Sequence, residues 1–81
     1  MRVAFSQRSV SQYAALSAER KVKFDKQVGF LLTNLRHPSL RAKKYDKAKD
    51  VWQARLDADY RFYFRIEGDA YHILSIIPHP K

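Results

Sequence analysis

The chain has 81 residues, 46% hydrophobic and 14% aromatic, with 16 Lys+Arg against 8 Asp+Glu, a formal charge of +8 and a pI near 10.1. A chain this short forms one domain and buries only about 60% of its unfolded surface, so aromatic rings must carry much of the core. The absence of cysteine excludes a disulfide framework and a thiolate metal site. No segment resembles a signal peptide and no apolar run nears the roughly 20 residues that span a bilayer, so a cytoplasmic protein without a membrane role is expected. The charge favours a polyanionic partner: nucleic acid, an acidic protein or an anionic membrane surface. The last is set aside because the apolar stripe of the second predicted helix is better used as core.

Met1 to Ser6 reads as a short strand or an irregular lead-in. Gln7 to Leu16 predicts a helix with Val10, Tyr13, Ala14 and Leu16 on one face. Ser17 is suited to N-cap a second helix, with Glu19 in its first turn. That helix is expected to run to about Leu35, because Phe24, Val28, Leu31, Leu32 and Leu35 follow the helical period. Arg36 and His37 suit its C-terminus, and Pro38 ends it. This end-of-helix role is preferred to catalysis for His37.

Residues 39 to 50, SLRAKKYDKAKD, carry Arg41, Lys43, Lys44, Lys47 and Lys49 with little apolar content. They read as a loop or a ragged edge hairpin. The charge is either a solvated run or an arm that grips phosphates. Three strands follow: VWQARL over 51–56, YRFYFRI over 60–66 and AYHILSII over 70–77. The links DAD and GD fit tight hairpins, so the strands are antiparallel neighbours. The fold class is α+β, with two N-terminal helices packed on one face of a small antiparallel sheet.

The short links predict a register. Leu56 opposite Tyr60 sets Ala54 against Phe62 and Trp52 against Phe64. Glu67 opposite Ala70 sets Phe64 against Ile73 and Ile66 against Tyr71. Both hairpins then present one apolar face, continued by Ile77, for the helices to cover. The other face pairs Arg55 with Arg61, Gln53 with Tyr63 and Arg65 with His72, and includes Leu74 and Ile76. Like charges directly across a sheet destabilise it. Either Asp57 and Asp59 neutralise the two arginines, or the arginines hold an anion. Arginines beside an exposed aromatic suit single-stranded RNA, pairing with phosphates while a base stacks on a ring such as Tyr63. The chain ends Pro78-His79-Pro80-Lys81, where flanking prolines limit the backbone of a histidine suited to proton transfer.

The stretches DVWQARLDADYRFYFRI and YHILSIIPHPK resemble the RelE/ParE superfamily of toxins from bacterial type II toxin–antitoxin systems. The resemblance covers nearly the whole chain and implies the RelE-like fold. Arg61 matches the strand arginine that RelE-like ribonucleases use on the scissile phosphate. Gln53 and Arg55 match two lysine positions of RelE. His79 matches the C-terminal histidine of the YoeB and HigB branches, an acid/base candidate there. The chain departs from the pattern at Gln53, which is uncharged, and at Pro80, where the YoeB branch has tyrosine. It also lacks RelE's C-terminal helix and a glutamate base near the sheet.

The function implied is ribosome-dependent endoribonuclease cleavage of mRNA, with neither metal nor small-molecule cofactor. His79, Arg61 and Arg55 are the candidate catalytic residues. Lys43, Lys44, Lys47, Lys49, Gln53, Tyr63, Arg65 and Lys81 are the candidate RNA contacts. The implied partners are an acidic antitoxin, the ribosome and mRNA. The alternatives are a ParE-like gyrase inhibitor and a basic nucleic-acid-binding module without catalysis.

Overall fold

A computed structural model describes residues 1–79. The elements are β1 (Arg2–Phe5), α1 (Gln7–Ala14), α2 (Ala18–Thr33), a 3-10 turn (Pro38–Leu40), β2 (Lys43–Asp46), β3 (Val51–Arg55), β4 (Tyr60–Glu67) and β5 (Ala70–Pro78). The strands form a single sheet in the order β1-β5-β4-β3-β2. Strands β2 to β5 are an antiparallel meander, and β1 joins β5 in parallel. The sheet is therefore mixed, and the N-terminal segment is its first edge strand.

Each helix begins where a serine can cap it. Ser6 Oγ accepts from the Ser9 amide and Ser17 Oγ from the Arg20 amide, both at 3.1 Å. Helix α2 buries Phe24 and Leu31 against Phe62, Phe64, Ala54 and Ile73 of the sheet. Phe24 meets Phe62 edge-on at 5.2 Å between ring centroids. Leu32, expected inside, is 41% exposed. Helix α1 adds Tyr13 to the same core, the turn after it adds Leu16, and the helix runs beside the open edge of β5. There Ser6 N–H and Ser9 Oγ both donate to the Ile73 carbonyl at 3.0 Å, and Gln12 Oε1 accepts from the Ile76 amide at 2.7 Å. This edge bonding buries Ser9 completely and leaves Val10, expected on the inner face, 55% exposed.

The β3–β4 register is the expected one, with Trp52 opposite Phe64, Ala54 opposite Phe62 and Arg55 opposite Arg61. The β4–β5 hairpin begins as expected too, around Gly68 at φ +58°. It then breaks step. Phe64 pairs with Ile73, but Tyr63 pairs with Ser75, so Leu74 is an extra residue on β5. Beyond this bulge the two faces of β5 exchange. Ile76 is buried at 2% exposure opposite Phe62, and Ile77 lies opposite Arg61. Expectation had assigned these two isoleucines the other way round. The physical reason is the core, because an unbroken ladder would have set Ser75 against Phe62.

Residues 39–50 form the edge-hairpin alternative, with Leu40 of the 3-10 turn fully buried. Strand β2 carries its own irregularity, Lys44 pairing with Trp52 and Asp46 with Val51 around Tyr45. Among the described residues no helix is long and apolar enough to cross a membrane.

Candidate functional site

The exchange of faces at Leu74 has a direct consequence at the end of β5. Pro78 pairs with Tyr60 on the core side, so the next residue, His79, emerges on the side of Arg61. Arg41, Lys43, Gln53, Arg55, Arg61 and His79 together line a cleft of about 220 Å³. Strand alternation explains most of this set. Lys43 pairs with Gln53, and Arg55 with Arg61, so all four leave the sheet on one side. Arg41 joins them from the end of the 3-10 turn, where its backbone takes the left-handed conformation at φ 47°.

The loop between β3 and β4 fixes two of these residues, Arg61 and His79. Arg61 Nη1 donates to the backbone carbonyls of Asp57 at 2.8 Å and Tyr60 at 3.0 Å. The His79 amide donates to the Asp59 carbonyl at 2.7 Å. The same loop is folded on itself, since Asp57 Oδ1 accepts from the Asp59 amide at 2.8 Å and the Tyr60 amide at 2.9 Å.

The carboxylates of this loop do not neutralise Arg55 and Arg61. Arg20 of α2 takes them instead, at 3.0 Å to Asp57 and 3.3 Å to Asp59. Burial raises the Asp57 carboxyl, but the two amide hydrogen bonds and the Arg20 charge outweigh it and hold the group below the usual carboxylate range. Among the described residues neither Arg55 nor Arg61 forms an ion pair with a carboxylate. A cleft of four cations over a neutral amide, with a histidine at its mouth, is built to hold an anion.

The structure divides the other expected contacts. Lys43 is in the cleft. Lys44 is on the opposite face, its ammonium 5.3 Å from the Trp52 ring centroid and paired with Asp50. Lys47 and Lys49 are exposed in the β2–β3 turn. The basic segment is thus not a single arm. Arg65 pairs with His72 at the far end of β4, and its Nε donates to the Lys49 carbonyl at 3.1 Å, which removes it from the cleft. Lys81 and Pro80 lie outside the described residues.

Tyr63 lies on the cleft side of the sheet but is only 8% exposed, under Tyr45 at 4.9 Å between centroids. Its burial, then the neighbouring Tyr45, push its hydroxyl above the ordinary tyrosine range against the opposing pull of Arg61. The exposed ring on this side is Tyr45, at 62%. It lines a second groove with Arg8, Val51, Tyr63 and Ile77, of about 320 Å³. His37 does not close α2, which ends at Thr33 with Asn34 as its cap, two residues short of the expected Leu35. His37 instead caps the start of the 3-10 turn, its Nδ1 accepting from the Ser39 amide at 3.2 Å and its ring stacked 3.8 Å from Phe30.

The sequence does not single out Tyr45 or Arg8, and it marks Arg41 only as one charge of the basic run 39–50. Arg41 and Tyr45 sit at backbone irregularities, where no periodic pattern assigns a face. Arg8 reaches the sheet from a helix, and its only signal was its charge.

The order of elements, the mixed sheet and the helices on it are the α+β fold of the RelE and YoeB toxins. The YoeB/ParE toxin from Agrobacterium tumefaciens superposes with a TM-score of 0.83 at 15% identity, over 99% of this chain and all of that one. A chain of the archaeal RelE–RelB complex from Pyrococcus horikoshii OT3 gives 0.79 at 21% identity, over 95% and 92% of the two chains. The YoeB–YefM complex from Staphylococcus aureus gives 0.79 at 14% identity, over 96% and 95%. No family profile matches the sequence, and no curated protein matches it significantly.

Proposed function

We propose that this protein is the toxin of a toxin–antitoxin pair and acts as a ribosome-dependent endoribonuclease on mRNA in the cytoplasm. The observation that carries this reading is the convergence of Arg55, Arg61 and His79 on one cleft, through a bulge that reverses the face of β5. The fold shared with RelE and YoeB toxins supports it.

The reaction needs an RNA strand whose scissile phosphate sits between Arg61 and Arg55. The ribose 2′-hydroxyl loses its proton and attacks the adjacent phosphorus. The bond from phosphorus to the 5′ oxygen breaks, leaving a 2′,3′-cyclic phosphate and a 5′-hydroxyl. Negative charge builds on the phosphate oxygens in between, and preorganised cations there stabilise the transition state more than the ground state. Arg61 is prepositioned for this by its two carbonyl contacts. His79 moves one of the protons, taking that of the 2′-hydroxyl or supplying that of the leaving oxygen. Lys43 and Arg41 hold neighbouring phosphates, and Gln53 supplies a neutral amide at the cleft floor.

The implied partner is an acidic antitoxin, as the structural relatives solved with RelB and YefM suggest. A groove lined by the apolar Phe5 and Val10 and by Tyr13, whose hydroxyl is bonded to the Asp25 carboxylate that completes the lining, offers an apolar stretch of such a chain a place on the helical side.

The test is primer extension on an mRNA translated in a purified bacterial system, with this protein, His79→Ala or Arg61→Ala added. Discrete cuts that require the ribosome and vanish in both variants are expected. Cuts that persist in both variants would overturn the assignment of the site. No cuts from folded protein would overturn the activity, and gyrase supercoiling would then be measured.

A further inference from the structure

Arg20 is not among the residues that line the cleft, yet it holds the loop on which the cleft depends. Its Nε binds Asp57 Oδ2 at 3.0 Å, and its Nη2 binds Asp59 Oδ2 at 3.3 Å. The guanidinium carbon also lies over the Tyr60 ring, 4.2 Å from its centroid. Two carbonyls of that loop are the ones that matter at the site. The Asp57 carbonyl accepts from Arg61 Nη1, and the Asp59 carbonyl accepts from the His79 amide.

We infer that Arg20 is a positioning residue: it clamps the Asp57–Asp59 loop, and through the two backbone carbonyls of that loop it sets Arg61 and His79 at the spacing the reaction requires. This rests on the functional reading above for the roles of Arg61 and His79. The chemistry of arginine suits the task. A planar fork with several donors binds two carboxylates at once, which a lysine ammonium does not reproduce. The interaction is more than a surface ion pair, because the Asp57 side chain is only 12% exposed and its other oxygen is already committed to two backbone amides. When the clamp opens, Asp57 keeps its internal hydrogen bonds. The loop as a whole, however, loses its attachment to α2. The two carbonyls then move relative to each other, and positional error in reacting groups is costly. A displacement of about 1 Å can lower a rate roughly a hundredfold.

The experiment compares Arg20→Gln and Arg20→Lys with the native protein, and uses Arg2→Gln as a control that removes the exposed Arg2–Asp69 pair elsewhere. Three quantities are read well below the melting transition. The first is hydrogen-exchange protection of the His79 amide, with 15N relaxation of Arg61 Nε. The second is affinity for a 2′-O-methyl RNA, which lacks the attacking hydroxyl. The third is the single-turnover cleavage rate on the ribosome. For Arg20→Gln the expected result is lower His79 protection and a looser Arg61, with a cleavage rate reduced roughly tenfold to a hundredfold. RNA affinity should stay within about twofold, since the phosphate-binding cations remain. Arg20→Lys should recover part of the thermal stability but little of the rate.

Unchanged protection of His79 and order of Arg61 in Arg20→Gln would overturn the inference. So would an affinity that falls in step with the rate, which would make Arg20 an RNA contact. Should Arg20→Gln not fold, Arg20→Lys carries the same three readings. If the native protein cleaves nothing, the functional reading fails, while the exchange and relaxation measurements still decide whether Arg20 orders the two residues.

Discussion

Phe62 lies opposite Ile76, not opposite Ser75. That single offset between β4 and β5 links the core to the site. It places an isoleucine instead of a serine against α2, and it turns His79 to the side where Arg61 and Arg55 stand. The first prediction follows from it. Ile76→Ala should cost about 2–5 kcal/mol, as for a fully buried isoleucine. Ile77→Ala should cost much less, since Ile77 is only half-buried on the other face. Chemical denaturation of the two variants measures the difference. Equal costs, or a larger one for Ile77, would show that β5 continues without the bulge.

The same bulge marks how far the sequence could be read. The DAD and GD links and the aromatic alternation set β3, β4 and the start of β5 in their observed register, and the pairing of Arg55 with Arg61 came with it. A period-2 argument carries no information past an inserted residue, so the assignments of Ile76 and Ile77 were reversed. The nearness of His79 to Arg61 came only from the resemblance. Ser9 was passed over for Val10 because hydropathy does not see hydrogen bonds to an open sheet edge. Tyr63 was read as a stacking platform because exposure cannot be inferred for a ring that a neighbouring strand covers. Arg20 carries no signal of its role in the sequence, since its partners are 37 and 39 residues away.

Two arginines of β4 make the second prediction. Arg61 lines the cleft, whereas Arg65 is bonded to the Lys49 carbonyl at the other end of the strand. Loss of one preorganised donor to a transition-state oxyanion lowers a rate by about 10²–10³. Arg61→Ala should therefore reduce ribosomal cleavage by that factor. Arg61→Lys should recover little, because one ammonium cannot hold the Asp57 carbonyl and a phosphate in the geometry of a guanidinium fork. Arg65→Ala should leave the single-turnover rate nearly intact. A loss in Arg65→Ala equal to that in Arg61→Ala would mean that net charge, not placement, drives the reaction.

Asp57 gives stability a defined dependence on pH. Its carboxyl is held below the ordinary range in the folded protein, so on acidification the unfolded chain takes up this proton first. The sign is then fixed. The contribution of the ionised group is complete above the unfolded value near pH 4 and is lost as pH falls through it toward the folded value. Asp57→Asn should lower the unfolding free energy at neutral pH by about 1–3 kcal/mol, the range for a buried hydrogen-bonded charge partner. The gap between native and variant should close in acid. Urea unfolding between neutral and acidic pH measures it, and a gap that is constant or widens in acid would contradict the assignment.

Arg41 separates backbone strain from charge. It is a non-glycine residue in the left-handed region, a conformation that costs roughly 1–2 kcal/mol for an L side chain. Arg41→Gly relieves that strain, and the extra freedom of glycine in the unfolded chain offsets about 0.4–1 kcal/mol of the gain. The melting temperature should therefore change little or rise. Arg41→Ala keeps the strain and should be no more stable than the native protein. Both variants lose the guanidinium from the cleft, so both should bind single-stranded RNA more weakly and show a shallower salt dependence, by about one phosphate contact. Calorimetry and a salt titration of RNA binding separate the two effects.

Tyr45 and Tyr63 make the last comparison. They touch edge to face, but only Tyr45 presents its ring to solvent. Stacking of a base on an exposed aromatic contributes about 1–3 kcal/mol per base. Tyr45→Ala should therefore weaken RNA binding by an amount in that range while leaving the fold in place, since the residue lies at the irregularity of an edge strand. Tyr63→Ala should do the reverse. It removes a ring from beneath Tyr45, in the middle of the sheet, so its first effect should be a lower melting temperature. Tyr63→Phe keeps that ring and should bind RNA as the native protein does. Fluorescence titration with a 2′-O-methyl RNA reads binding, and thermal unfolding reads stability. If Tyr63→Phe lost affinity while Tyr45→Ala kept it, the phenol of Tyr63 would be an RNA contact and Tyr45 only its cover.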